Sequence, residues 1–245
     1  MNDSSASRAH GEPERLRPAR ILVWDAPVRV FHWLTVIAFA GAWLTAESER
    51  WRLMHVAFGY TMLGLVAFRV VWGVAGTRHA RFSSFVRSPA AVFRYVLSLA
   101  KGRPEHHVGH NPAGAVAIVA MLAMTVVTGL TGWMAYTGNG ESVGDFHEGA
   151  ANVMLALVVV HVAAVLVSSL VHRENLAGAM VTGYKRGAPV DGIRRAWSGI
   201  AVIMAAAVIG WWWTQWHAAP QPVPADRPVV TDAGRPANAV GRDDD

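Results

Sequence analysis

Residues 147–161 read HEGAANVMLALVVVH, an apolar run opened by one histidine and closed by another fourteen positions later. On an α-helix, fourteen steps of 100° return a side chain to within ~40° of its starting direction, after a rise of roughly 21 Å. Both imidazoles therefore occupy one face of one helix, at two depths of a hydrocarbon layer ~30 Å thick. An ionisable side chain inside a membrane is costly and marks a functional site, and neutral imidazole is an axial ligand for haem iron. The stretch is expected to supply one ligand to each of two stacked haems. The rest of the chain should then hold two partners.

Composition agrees with a membrane setting. Of 245 residues, 53% are hydrophobic and only 16% charged, and the apolar residues come in long blocks. Cysteine is absent, which excludes disulfides, thiolate clusters and the C-x-x-C-H attachment of a covalent haem. Any haem must be held by histidine or methionine. The net charge of +5 does not point to nucleic acid, because the cations flank apolar blocks, where they orient a membrane protein.

Working outward, an all-α integral membrane protein is predicted: a four-helix haem-binding bundle plus a fifth, C-terminal helix. The four spans are 28–46, 54–75, 112–136 and 146–171, within a core covering 24–186. A linker and the fifth span (197–216, ending in WWWTQW) occupy 187–217. Residues 1–23, polar and rich in arginine and proline, and 218–245, ending in DDD, are expected to be disordered. No small-residue cleavage site follows the first apolar block, which is read as a retained helix. Pro89–Ala100 has the amphipathic pattern of a helix lying in the interface. Gly129 and Gly132 admit close approach of a neighbouring helix or of a flat cofactor.

Basic residues set the expected orientation. Arg8, Arg15, Arg17, Arg20 and Arg29 precede or open the first span, and further groups fill the 76–110 and 172–196 connections. The first turn has only Arg50 and Arg52, and the loop before His147 has no cation. The positive-inside bias places the N-terminus in the cytoplasm and the C-terminal tail outside. Depth then pairs the histidines. His55 and His147 open their helices on the outer side, and His32 and His161 lie a similar distance inward. Singly, His32 or His55 can equally be an interface residue facing headgroups; four histidines matched by depth on three helices are hard to explain that way.

The segments VWDAPVRVFHW, MHVAFGYTMLGLVAFRVVWG, GHNPAGA, TGW, the His147–His161 helix and AMVTGYKR together resemble the bacterial di-haem cytochrome b561 family. This family includes the b-type cytochrome subunit of nickel–iron hydrogenases, and the resemblance covers about Trp24 to Arg186. It implies two b haems in a four-helix core, with ligands at positions matching His32, His55, His147 and His161. The family's charged residue late in the second helix corresponds to Arg69, a candidate partner for a haem propionate. The fifth helix and acidic tail lie outside the resemblance.

Of the other histidines, His110 either caps the third span or lines a quinone pocket, and His172 is a reserve ligand. His10, His79, His106, His107 and His217 fall in loops or ends. The function expected is electron transfer between a periplasmic redox partner, such as a hydrogenase or c-type cytochrome, and the quinone pool. Haems ligated on both faces by histidine have no open position at iron. Two rivals are a self-contained superoxide/quinone oxidoreductase, which needs an outer basic pocket at Arg50 and Arg52, and a haem-free membrane anchor.

Overall fold

The computed structural model describes residues 19–101, 108–138 and 140–219. Residues 1–18 and 220–245, most of the two segments expected to be disordered, lie outside the described residues, as do His10, His106 and His107.

Five helices are long and apolar enough to cross a membrane. Helix α1 (Ala26–Thr45) is launched by Asp25, whose side chain accepts from the Val28 amide, with Pro27 in the first turn where its missing N–H costs nothing. Helix α2 (Arg52–Ala75) ends at Gly76. Short helix α3 (Phe82–Phe85) and helix α4 (Pro89–Ala100) fill the next connection, and α4 matches the expected amphipathic segment. Helix α5 (Pro112–Tyr136) is capped by Asn111, which accepts from the Gly114 amide at 2.7 Å. Helix α6 (Glu141–His172) runs 32 residues, roughly 48 Å at 1.5 Å per residue, longer than the hydrocarbon layer. Helix α7 (Leu176–Thr182) and the fifth span, α8 (Ser198–Ala218), complete the set.

Two features were not anticipated. Strand β1 (Ala19–Leu22) pairs antiparallel with β2 (Tyr184–Gly187), so the N-terminal segment taken as disordered to residue 23 is ordered over its last residues. Burial of Ile21, Val23 and Trp24 against Trp72, Ala80 and Ala179 explains the order, because this apolar cluster closes the arginine-rich end of the bundle. The loop before His147 is also mostly helix. Gly140, at φ 98, stands at the start of α6, and Glu141 in its first turn suits the positive end of the helix dipole. His147 therefore sits in the second turn of α6 rather than at its opening.

Packing is uneven. Helix α6 lies along α5, and α1 along α2, whereas α6 meets α1 and α2 only marginally. One layer joins the two halves: Ala38, Met62 and Met154 are buried together at mid-depth, flanked by Phe58, Met121 and Trp212. Helix α8 packs on α1 and α2, with Trp212 Nε1 donating to Thr61 Oγ1 at 2.9 Å.

Candidate haem sites

His55 and His147, the pair expected on the outer side, lie side by side. His55 reaches from the first turn of α2 and His147 from α6, with ring centroids 6.1 Å apart and planes at 90°. Two imidazoles on opposite sides of one metal, with metal–nitrogen bonds of about 2.0 Å, have centroids about 6 Å apart. Each ring is oriented through its other nitrogen. His55 Nδ1 meets the Ala42 carbonyl and His147 Nδ1 the Thr128 carbonyl, both at 2.9 Å. With both Nδ1–H groups donating to backbone, each Nε2 is left as the lone-pair nitrogen that a metal takes. Gly132 makes room for this arrangement, because a Cβ there would stand 2.8 Å from the His147 ring. The neighbour that approaches Gly132 is thus the His147 ring. Gly129 admits the Leu63 side chain.

The inner pair is looser. His32 Nδ1 is buried without a hydrogen-bond partner, and the ring stands edge-on to Trp33 at 5.2 Å. His161, on α6, lies within electrostatic reach of His32. An orphaned imidazole nitrogen enclosed in protein costs free energy unless something meets it. The residues at both depths fit haem.

Arg69 is 3% exposed, and one terminal nitrogen has no partner. Its guanidinium lies over the Phe82 ring at 4.8 Å and near Phe85 at 5.9 Å. Gly73 admits the Phe82 ring against α2, since a Cβ there would collide with it. The sequence reading missed Asp25, which lies within electrostatic reach of Arg69. Its carboxylate accepts from the Val28 amide, Trp72 Nε1 at 3.0 Å and Thr77 Oγ1 at 2.6 Å, tying α1 to the end of α2. The signal for it was an acid just before Ala-Pro at a helix start.

His110 does not cap α5; Asn111 does. The His110 ring is held between Trp24 at 4.5 Å and Phe85 at 4.6 Å, with its Nδ1 sealed off and unpartnered. Burial first, then the nearby Arg69, His79, Lys185 and His161, push its pKa down to about 3. His172 Nδ1 meets the Ser168 carbonyl within its own helix at 3.0 Å. His79 Nε2 meets the Asp191 carbonyl at 2.7 Å, and His217 Nδ1 meets the Trp213 carbonyl. At the opposite end, Arg52 pairs with Glu49 at 3.8 Å and lies over Tyr136, while Arg50 covers Trp51. The arginines required by the superoxide reading are thus engaged locally.

Residues 23–183 match the sequence profile of prokaryotic cytochrome b561. The chain is 24% identical over 230 residues to a protein of Azotobacter vinelandii described as "Probable Ni/Fe-hydrogenase B-type cytochrome subunit", covering 75% of this chain and 95% of that protein. A protein of Escherichia coli K12 described as "Probable Ni/Fe-hydrogenase 1 B-type cytochrome subunit" is 25% identical, covering 66% of this chain and 89% of the relative. A Rhodobacter capsulatus protein with the same description as the first is 22% identical, with coverage of 74% and 89%. No solved structure matches the chain. The chain belongs to the prokaryotic cytochrome b561 family, multi-pass membrane cytochromes of b type that carry electrons.

Proposed function

We propose that the protein is a di-haem conduit carrying electrons across the inner membrane between a periplasmic redox subunit and the quinone pool. The observation that carries this reading is the His55–His147 pair, whose ring spacing of 6.1 Å suits two ligands on one iron. His55 and His147 would hold the outer haem, and His32 and His161 the inner one. Bound haem supplies one-electron redox chemistry; the protein supplies ligation, orientation and a dry surrounding. The Ala42 and Thr128 carbonyls hold the outer imidazoles in the tautomer that leaves Nε2 free. The Ala38–Met62–Met154 layer keeps water out between the two depths. Arg69 would hold a propionate of the inner haem, since its unpartnered nitrogen and aromatic bed leave one direction of its charge unmet.

The relatives' descriptions make a nickel–iron hydrogenase the first partner to test. The positive-inside bias puts the β1–β2 end in the cytoplasm, beside the inner pair. There the aromatic-flanked His110, neutral at physiological pH with a free Nδ1, is suited to line the quinone site. The test is anaerobic addition of a short-chain quinol to the purified protein. Both haems should be reduced in the wild type, and His32→Ala should block reduction of the outer haem. Failure of quinol to reduce either haem would contradict the quinone arm.

A further inference from the structure

A second concave site lies on the arginine-rich end, away from the histidine pairs. Thr77 and Arg78, just past α2, and the segment Gly192–Arg195 with Trp197, just before α8, line a pocket of about 390 Å³. That is room for roughly a dozen waters at ~30 Å³ each, enough for a glycerophosphate group with part of its hydration.

The wall carrying the arginines has no regular secondary structure, yet it is fixed at both ends. The Ile193 amide donates to the Leu22 carbonyl of β1, and the Ala26 amide at the start of α1 donates to the Ala196 carbonyl, both at 2.8 Å. The Asp191 carbonyl just upstream meets His79 Nε2 at 2.7 Å. Between these anchors Arg194 and Arg195 are exposed, and among the described residues neither makes a hydrogen bond or an ion pair. Opposite them, Arg78 pairs with Asp191 at 3.5 Å and donates to the Val190 carbonyl at 3.3 Å. Three guanidiniums against one carboxylate leave an excess of two positive charges around the cavity. A segment pinned at both ends, carrying two cations with no internal partner, is organised for an external anion.

The floor of the pocket indicates which anion. Trp197 is held at φ 55, a left-handed conformation that is costly for a bulky residue and persists only where its surroundings impose it. Its ring meets Trp72 edge-on at 5.8 Å and remains 44% exposed, as suits an aromatic at the headgroup level. Toward the membrane, Val71 and Val74 of α2 and Val202 and Ile203 of α8 are exposed, apolar side chains that acyl chains can meet.

We propose that this pocket binds the phosphate headgroup of an anionic glycerophospholipid through Arg78, Arg194 and Arg195, with its acyl chains against α2 and α8. The site rests on membrane placement alone and is independent of haem ligation. Each arginine near an anionic lipid surface contributes about fivefold to binding, so losing two should weaken it on the order of 25-fold.

The experiment is thermal unfolding of the full chain in neutral detergent, with native mass spectrometry of retained lipid. Phosphatidylglycerol should raise the wild-type Tm in a saturable way and remain bound in the gas phase. Phosphatidylcholine and inorganic phosphate at equal phosphate concentration should do neither. Arg194→Gln combined with Arg195→Gln should shift the phosphatidylglycerol midpoint by the factor above while leaving the haem spectrum unchanged. Equal stabilisation by inorganic phosphate would identify a soluble-anion site and overturn the lipid assignment. Equal stabilisation by phosphatidylcholine would overturn the need for anionic charge. The wild-type series decides these points even if the double variant fails to fold.

Discussion

The two histidine pairs share chemistry but differ in how their geometry is held. At the outer pair both Nδ1 atoms are committed to backbone carbonyls, and Gly132 leaves space for one ring. At the inner pair His32 Nδ1 has no partner, and aromatic contact with Trp33 is its visible constraint. The outer site is organised by the fold itself. A haem held at the inner pair would itself have to orient the His32 ring, in the charged, aromatic surroundings of Arg69 and His110. Preorganised ligands lose little freedom on binding, so the outer haem should be retained more tightly and the inner haem should respond more to its neighbours.

The largest effect expected from this contrast is the separate loss of each haem. His55→Ala and His147→Ala should each abolish the outer low-spin signal and keep the inner one, while His32→Ala and His161→Ala should do the reverse. Electron paramagnetic resonance of the four variants checks it, with His172→Ala as a control that keeps both signals. Next comes Arg69→Leu. Removing a buried cation disfavours the reduced, less positive iron, so the inner midpoint potential should fall by about 60 mV, a tenfold change for one electron. The outer potential should hold. Unchanged potentials for both haems in a redox titration would separate Arg69 from the propionates.

Gly132→Ala tests the outer site's preorganisation with a single methyl. The His147 ring would have to move away from a Cβ placed at 2.8 Å, at an overpacking cost of about 1–3 kcal/mol. The outer signal should broaden or shift while the inner one stays. Gly64→Ala, with open space at its Cβ, should change neither.

The smallest effect concerns His110. Its folded pKa of about 3 lies below the ordinary 6.5, so the folded state binds fewer protons than the unfolded one between those values. Stability contributed by the neutral ring is complete above pH 6.5 and falls as the pH drops towards 3. The loss at pH 5 is at most about 2 kcal/mol. The wild type should melt a few degrees lower at pH 5 than at pH 7, and His110→Gln should narrow that difference.

Much of this arrangement was legible in the sequence because it rests on periodicity. The fourteen-residue spacing within α6 and the length of each apolar block are properties of single helices, and the five spans appear within a few residues of expectation. Long-range contacts were not legible. Asp25 joins partners at positions 28, 72 and 77, and β1 finds β2 more than 160 residues away. The Asp-Ala-Pro start announces the cap on Val28, but no local pattern announces the Trp72 and Thr77 contacts or the strand pairing. His147 was placed at a helix opening because the polar stretch ESVGDF reads as loop, although its carboxylates suit a helix N-terminus. The Nδ1 bonds to Ala42 and Thr128 depend on how neighbouring helices face one another, which only the assembled bundle fixes.

The claim of two haems at two depths is tested most directly by the ratio of haem to chain in the purified protein, by the pyridine haemochrome spectrum against quantitative amino-acid analysis. Two b haems per chain, all extracted by acidic acetone, is the predicted result. A ratio of one, or haem that remains attached to the chain, would contradict it.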